Sequence, residues 1–164
     1  MNFESFWADI LATLVGGVVL AVLFFWFREK IVPFPNITGR WHFEMRTTST
    51  SYNPYQDMTL RYIAMLWREG DRVEGTVEKI YESSTTGVRH FDGTQRTRGK
   101  VQGYIEKNYF GKDKLFLHVT EDGHGRVSTN FYELVANADT VLNGSFTSMI
   151  ANQSGTARWQ RSDF

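Results

Sequence analysis

The chain of 164 residues contains no cysteine. A disulfide framework and a thiolate metal site are therefore excluded, and the absence leans towards a reducing compartment. Net charge is also missing, with 18 basic and 18 acidic side chains. Glu4, Asp9, Arg28, Glu29 and Lys30 lie in the first thirty residues, and the remainder holds 16 basic and 15 acidic groups. That balance is no footprint for long nucleic acid, which needs a dense basic surface. Catalytic signatures are lacking too. His42, His90, His118 and His124 are too far apart to show a metal-ligand pattern. There is no nucleophile elbow, Walker loop or HExxH, and no paired-carboxylate case. The sequence reads as a binder, not an enzyme, with no metal and no cofactor. After residue 36 no window shows a helical period.

What is present begins with an uncharged run of 18 residues, Ile10 to Phe27. A helix needs roughly 20 apolar residues to cross a hydrocarbon core. Trp7 and Trp26 flank the run, where an amphipathic ring gains most at headgroup level. A cleaved signal peptide fits poorly, because no basic residue precedes the run and its apolar core is too long. A buried soluble helix would carry a polar stripe, and none is visible. Residues 1–30 are thus expected to hold one transmembrane helix, and 31–37 a linker broken by Pro33 and Pro35. Arg28 and Lys30 follow the span while Glu4 and Asp9 precede it. The positive-inside rule then puts the N-terminus outside and the following domain in the cytoplasm. Gly16 and Gly17 sit mid-helix, where glycine lets helix backbones approach, so self-association in the membrane is expected. Three Asn-x-Ser/Thr triplets, at Asn36, Asn143 and Asn152, would be silent in a cytoplasmic domain.

From residue 38 to 164 the period changes to two. Trp41, Phe43 and Met45 alternate with Arg40, His42 and Glu44; Leu115, Leu117 and Val119 repeat the pattern. This predicts half-buried strands at 38–48, 57–69, 72–82, 96–108, 114–120, 126–136, 140–148 and 155–161. Short turns between them imply an antiparallel meander. Eight strands in one open sheet would leave edges, so an all-β, up-and-down eight-stranded barrel is expected, with a two-sheet sandwich as the alternative. Loops after strands 1, 3, 5 and 7, at 48–56, 83–95, 121–125 and 149–154, would frame a mouth facing away from the bilayer. Barrel mouths are common ligand sites, although small barrels are often filled by their own side chains.

Arg89, Arg96, Arg98 and Lys100 face only Asp92 along residues 83–105. Arginine forks pair with phosphate oxygens and stack on flat rings. Tyr52, Tyr55, His90 and Tyr104 could supply stacking partners. The expected ligand site is therefore Tyr52, Tyr55, Arg89, His90, Arg96, Arg98 and Tyr104, and a small nucleotide would suit it. A solvated loop with scattered charges is the plainer alternative.

Gly39-Arg40-Trp41 opens the first strand and Arg158-Trp159-Gln160-Arg161 closes the last. This resembles the lipocalin and wider calycin pattern, which implies that Trp41 plugs the closed end under Arg158 or Arg161. The layout of membrane segment, proline link, Asn36-Ile37-Thr38-Gly39-Arg40-Trp41 and compact β domain is similar to another group. It resembles the membrane-spanning β-barrel (2TM-β-strand) effectors of bacterial CBASS and related cyclic-oligonucleotide antiphage systems. That resemblance implies a cytoplasmic barrel that senses a cyclic di- or oligonucleotide, a homo-oligomer, and disruption of the inner membrane. The family name implies two membrane helices, whereas one span is visible here. A tethered lipocalin-like carrier of an apolar ligand and a non-enzymatic adaptor are the competing expectations.

Overall fold

The computed structural model describes residues 3–30, 34–108, 111–123, 126–138 and 140–164, with the backbone alone at 3–5, 28–30, 126 and 138. The chain divides after Phe34 into two compact units. The first is the helix α1 (Phe3–Lys30). Its apolar stretch Phe6–Phe27 has 22 residues and a mean hydropathy of 2.6. At 1.5 Å per residue it reaches about 33 Å, against a hydrocarbon core of about 30 Å. The helix is therefore long and apolar enough to cross a membrane. Its polar Thr13 folds its hydroxyl back onto the Asp9 carbonyl at 2.8 Å, which satisfies it without water.

The second unit is built from nine strands: β1 (Gly39–Ser49), β2 (Thr59–Glu69), β3 (Arg72–Ser84), β4 (Gly87–His90), β5 (Arg98–Glu106), β6 (Lys114–Gly123), β7 (Arg126–Ala138), β8 (Val141–Ser148) and β9 (Gln153–Gln160). Eight of them form an antiparallel ring in the order β2-β1-β9-β8-β7-β6-β5-β3, which the β2–β3 pairing closes. Closure leaves the eight-stranded ring itself without an edge, and the unbroken ring excludes the two-sheet sandwich. The ninth strand, β4, pairs with the end of β3 outside the ring. The sequence pattern places a loop at 83–95. Part of it instead extends β3 and turns back at Gly87, whose φ of +124° suits glycine.

Alternation decides which side chains go inside. Trp41, Phe43, Met45 and Thr47 of β1 are buried, as are Leu115, Leu117 and Val119 of β6. Along β2, Tyr62, Ala64 and Leu66 do the same. The core is aromatic. The Phe43 ring lies between Tyr62 at 4.5 Å and Trp159 at 3.9 Å, both within 7° of parallel. Tyr132 meets Phe43 and Trp159 edge-on, at 5.7 Å each. Such geometries add to the area these large rings remove from water. Close approach of neighbouring strands needs glycine. A Cβ on Gly144 would strike the Glu133 carbonyl, and one on Gly155 would strike the Arg46 carbonyl.

One end of the barrel is shut. Trp41 is fully buried there, and its indole N–H donates to the Ile37 carbonyl at 2.6 Å. The Arg161 guanidinium stacks over the Trp41 ring at 4.1 Å. It also donates to the carbonyls of Arg40 and Asn36 at 3.1 and 2.8 Å. Of the two arginines open from sequence, Arg161 is the cover. Arg158 stands on the outside, opposite Glu44 in the ladder.

Candidate functional site

The other end of the barrel is open. Its interior holds a cavity of about 530 Å³ above the aromatic stack. Three local features build it. The first is a β-bulge in β3. Tyr62 pairs with Lys79 and Arg61 with Tyr81, so Ile80 is the extra residue. A bulge shifts the alternation by one position. Lys79 faces inward opposite Tyr62, and Glu82, three residues on, faces inward opposite Leu60. Their side chains form an ion pair of 3.2 Å, both about four-fifths buried. Lys79 also lies 5.0 Å from the Phe91 ring.

The second feature is the extension of β6 past its apolar residues. Glu121 occupies the inward position that follows Val119, and only 5 % of it is exposed. Its Oε1 accepts hydrogen bonds from the Tyr62 hydroxyl at 2.9 Å and from Asn130 Nδ2 at 3.4 Å. Burial raises the Glu121 carboxyl above the ordinary carboxylate range; the Tyr62 hydrogen bond and Lys79 oppose that rise, and Glu82 adds to it. Burial, then the nearby Glu121 charge, pushes the hydroxyls of Tyr62 and Tyr132 well above the ordinary tyrosine value. The Tyr132 hydroxyl donates to Met45 Sδ at 3.1 Å, which seals the floor.

The third feature is the polar rim. Gln153 accepts from the Thr47 hydroxyl at 3.1 Å and donates to the Ile150 carbonyl at 3.1 Å. Tyr55, Met58, Thr97 and Ser148 complete the wall.

The residues singled out from sequence fall in four places. Tyr55 lines the mouth cavity, and Tyr52 meets it edge-on at 5.0 Å on the rim. Arg96 and Arg98 line a separate open groove of about 1000 Å³ with Phe91 and Asp122; Thr97 is common to both spaces. Arg96 is held by Glu78 at 3.1 Å and by the Phe91 carbonyl at 3.2 Å, and Arg98 reaches Glu78 at 3.4 Å. Arg89 and His90 are exposed on β4, with the His90 ring 5.1 Å from Tyr81. Tyr104 stands on the outer wall, because Val101, Gly103 and Ile105 take the inward positions of β5. It stacks there on Phe116 at 5.2 Å.

Lys79, Glu82, Glu121, Asn130 and Gln153 were not singled out from sequence. Strand parity carried past the last apolar residue could have found Lys79, Glu121, Asn130 and Gln153, whereas Glu82 lies beyond the Ile80 bulge, which reverses the parity. Among the described residues, no group of three or more His, Cys, Asp or Glu is placed to hold a metal.

By fold the second unit resembles solved β-barrels. A redesigned barrel, mFAP0, bound to DFHBI, superposes with a TM-score of 0.53 at 13 % identity, covering 76 % of this chain and 98 % of that one. The redesigned barrel mFAP1 bound to DFHBI gives 0.54 at 13 %, over 76 % and 94 %. EF1p2_mFAP2b bound to DFHBI gives 0.55 at 11 %, over 77 % and 94 %. At such identities the likeness is one of architecture. No protein-family model and no curated protein sequence matches the chain.

Proposed function

We propose that the protein is a membrane-anchored, non-enzymatic receptor for a small molecule, which it holds in the mouth of the barrel. The observation that carries this is Glu121. A carboxylate only 5 % exposed is expensive to keep in a barrel that could have been filled with apolar side chains. Here it lines an open cavity of about 530 Å³ with a buried tyrosine hydroxyl, an amide and an ion pair around it. That volume falls within the range of small-molecule sites. The DFHBI-bound designed barrels support the same use of this architecture. An apolar carrier fits less well, because Lys79, Glu82 and Glu121 stand in the wall beside its apolar residues.

The finer reading is that of an antiphage effector at the bacterial inner membrane, with the N-terminus outside and the barrel in the cytoplasm. The ligand would be a cyclic di- or oligonucleotide, and the helix would self-associate to disrupt the bilayer. Two features support it. The order of apolar helix and barrel matches that layout. Arg96 and Arg98 also stand in the groove that shares Thr97 with the mouth, where they could meet phosphates while a base enters the cavity. The test is a thermal-shift panel on the full chain in detergent micelles, using cyclic di- and trinucleotides beside a general small-molecule set. A ligand at 100 times its dissociation constant adds about 2.7 kcal/mol. Stabilisation by a cyclic nucleotide, weakened by Arg98→Ala, supports the finer reading. Stabilisation by other compounds alone leaves the receptor and removes the nucleotide.

A further inference from the structure

The polar atoms of the mouth are unevenly used. The Tyr62 hydroxyl is committed to Glu121 Oε1, and one N–H each of Asn130 Nδ2 and Gln153 Nε2 is committed to Glu121 Oε1 and the Ile150 carbonyl. The acceptors are open. Among the described residues no hydrogen bond reaches Glu121 Oε2 or Asn130 Oδ1, and the Lys79 ammonium meets Glu82 at Oε2, not Oε1. Charge tells the same story. Of the described residues lining the cavity, Lys79 is the only cation, against the two carboxylates Glu82 and Glu121. An anionic group inside would face an excess of negative charge beside Glu82 and Glu121. An N–H group would find open acceptors already aimed at it.

We infer that the end of the ligand lodged in the mouth is a cationic or donor-rich nitrogen group, of the amidine or aminoheterocycle class, which donates to Glu121 Oε2 and Asn130 Oδ1. Charge-assisted hydrogen bonds of this kind are about twice as strong as neutral ones. Phosphates or carboxylates elsewhere on the ligand would stay outside the cavity. This inference rests on the mouth being a receptor site, and it adds which chemistry enters it.

The test uses three probes of nearly one shape: benzamidine, benzamide and benzoate. Their affinities for the full chain in detergent micelles are measured by ligand-observed NMR, beside the small-molecule set described above. Benzamidine is expected to bind at least tenfold more tightly than benzamide, with benzoate weakest, and Glu121→Gln is expected to remove most of that preference. In the wild type, benzamidine affinity should fall on acidification as Glu121 takes up a proton, while benzamide affinity holds. Lys79 and Glu82 on β3, Tyr62 on β2 and Tyr132 on β7 are the other titratable groups facing Glu121. That pH comparison stands even if the variant does not fold. Equal binding of the three probes, or a preference unchanged by Glu121→Gln and by pH, overturns the inference and leaves the receptor reading intact. If no probe and no compound of the wider set binds, the receptor reading itself has failed.

Discussion

Glu121 couples the barrel's stability to pH in a definite direction. Its folded-state pKa lies above the unfolded value of about 4.3. Between those two values the folded protein holds more protons than the unfolded chain. Stability therefore falls as pH rises through that window and stays lowered above it. Glutamine cannot ionise. The melting temperature of Glu121→Gln minus that of the wild type should accordingly increase from about pH 4 to about pH 8. A difference that is flat or falls with pH would show that burial does not dominate at this carboxyl. At the closed end, Arg161→Ala removes the stacking on Trp41 and two charged donors to backbone carbonyls. The cost should be about 1–2 kcal/mol by denaturant unfolding. Arg158→Ala, on the outside, should cost under about 0.5 kcal/mol.

At the scale of strands and helix, the close pairing of β7 with β8 depends on a small residue. Gly144→Ala places a methyl group against the Glu133 carbonyl, which cannot move without breaking the β7–β8 ladder. Overpacking of this kind costs about 1–3 kcal/mol, and the melting temperature should drop by several degrees. In α1 the opposite holds. A Cβ at Gly16 or Gly17 meets nothing within 4 Å inside the chain. Gly17→Leu should thus leave membrane insertion intact and lower only helix–helix association, as read by energy transfer between labelled chains in nanodiscs. Unchanged association would remove the mid-helix glycines from any contact.

Element scale is also where the sequence was most and least legible. Period two with large apolar residues exposed the lower barrel directly, because Trp41, Phe43, Leu115 and Leu117 must face inward. Gly39-Arg40-Trp41, through the lipocalin resemblance, marked the closed end but left its cover open between Arg158 and Arg161. The upper barrel was harder to read, because Lys79, Glu82, Glu121, Asn130 and Gln153 take inward positions there among the apolar residues. Glu121 read as the first residue of a loop, whereas β6 continues to Gly123. The Ile80 bulge had no marker in Glu78-Lys79-Ile80-Tyr81-Glu82, so the meeting of Lys79 with Glu82 could not be foreseen. The arginine segment was conspicuous for the opposite reason, since charge is easiest to see where it is exposed.

For the whole molecule, the division of the barrel into a dry aromatic half and a wet charged half is the feature that any function must use. The aromatic half fixes the fold: Phe43, Tyr62, Tyr132 and Trp159 are buried and meet face to face or edge to face. The wet half spends stability to keep polar groups out of bulk water, and an apolar mouth would serve an adaptor or a simple tether better. Filling that mouth separates the two roles. Ser148 lines the cavity from β8. Ser148→Trp should occupy it while leaving the aromatic stack below untouched. The decisive measurement is the ligand-induced rise in melting temperature of the full chain, compared between wild type and Ser148→Trp. The expected result is a saturable rise in the wild type for at least one compound and its loss in the folded variant. An equal rise in both proteins would place the ligand elsewhere and contradict the receptor mouth.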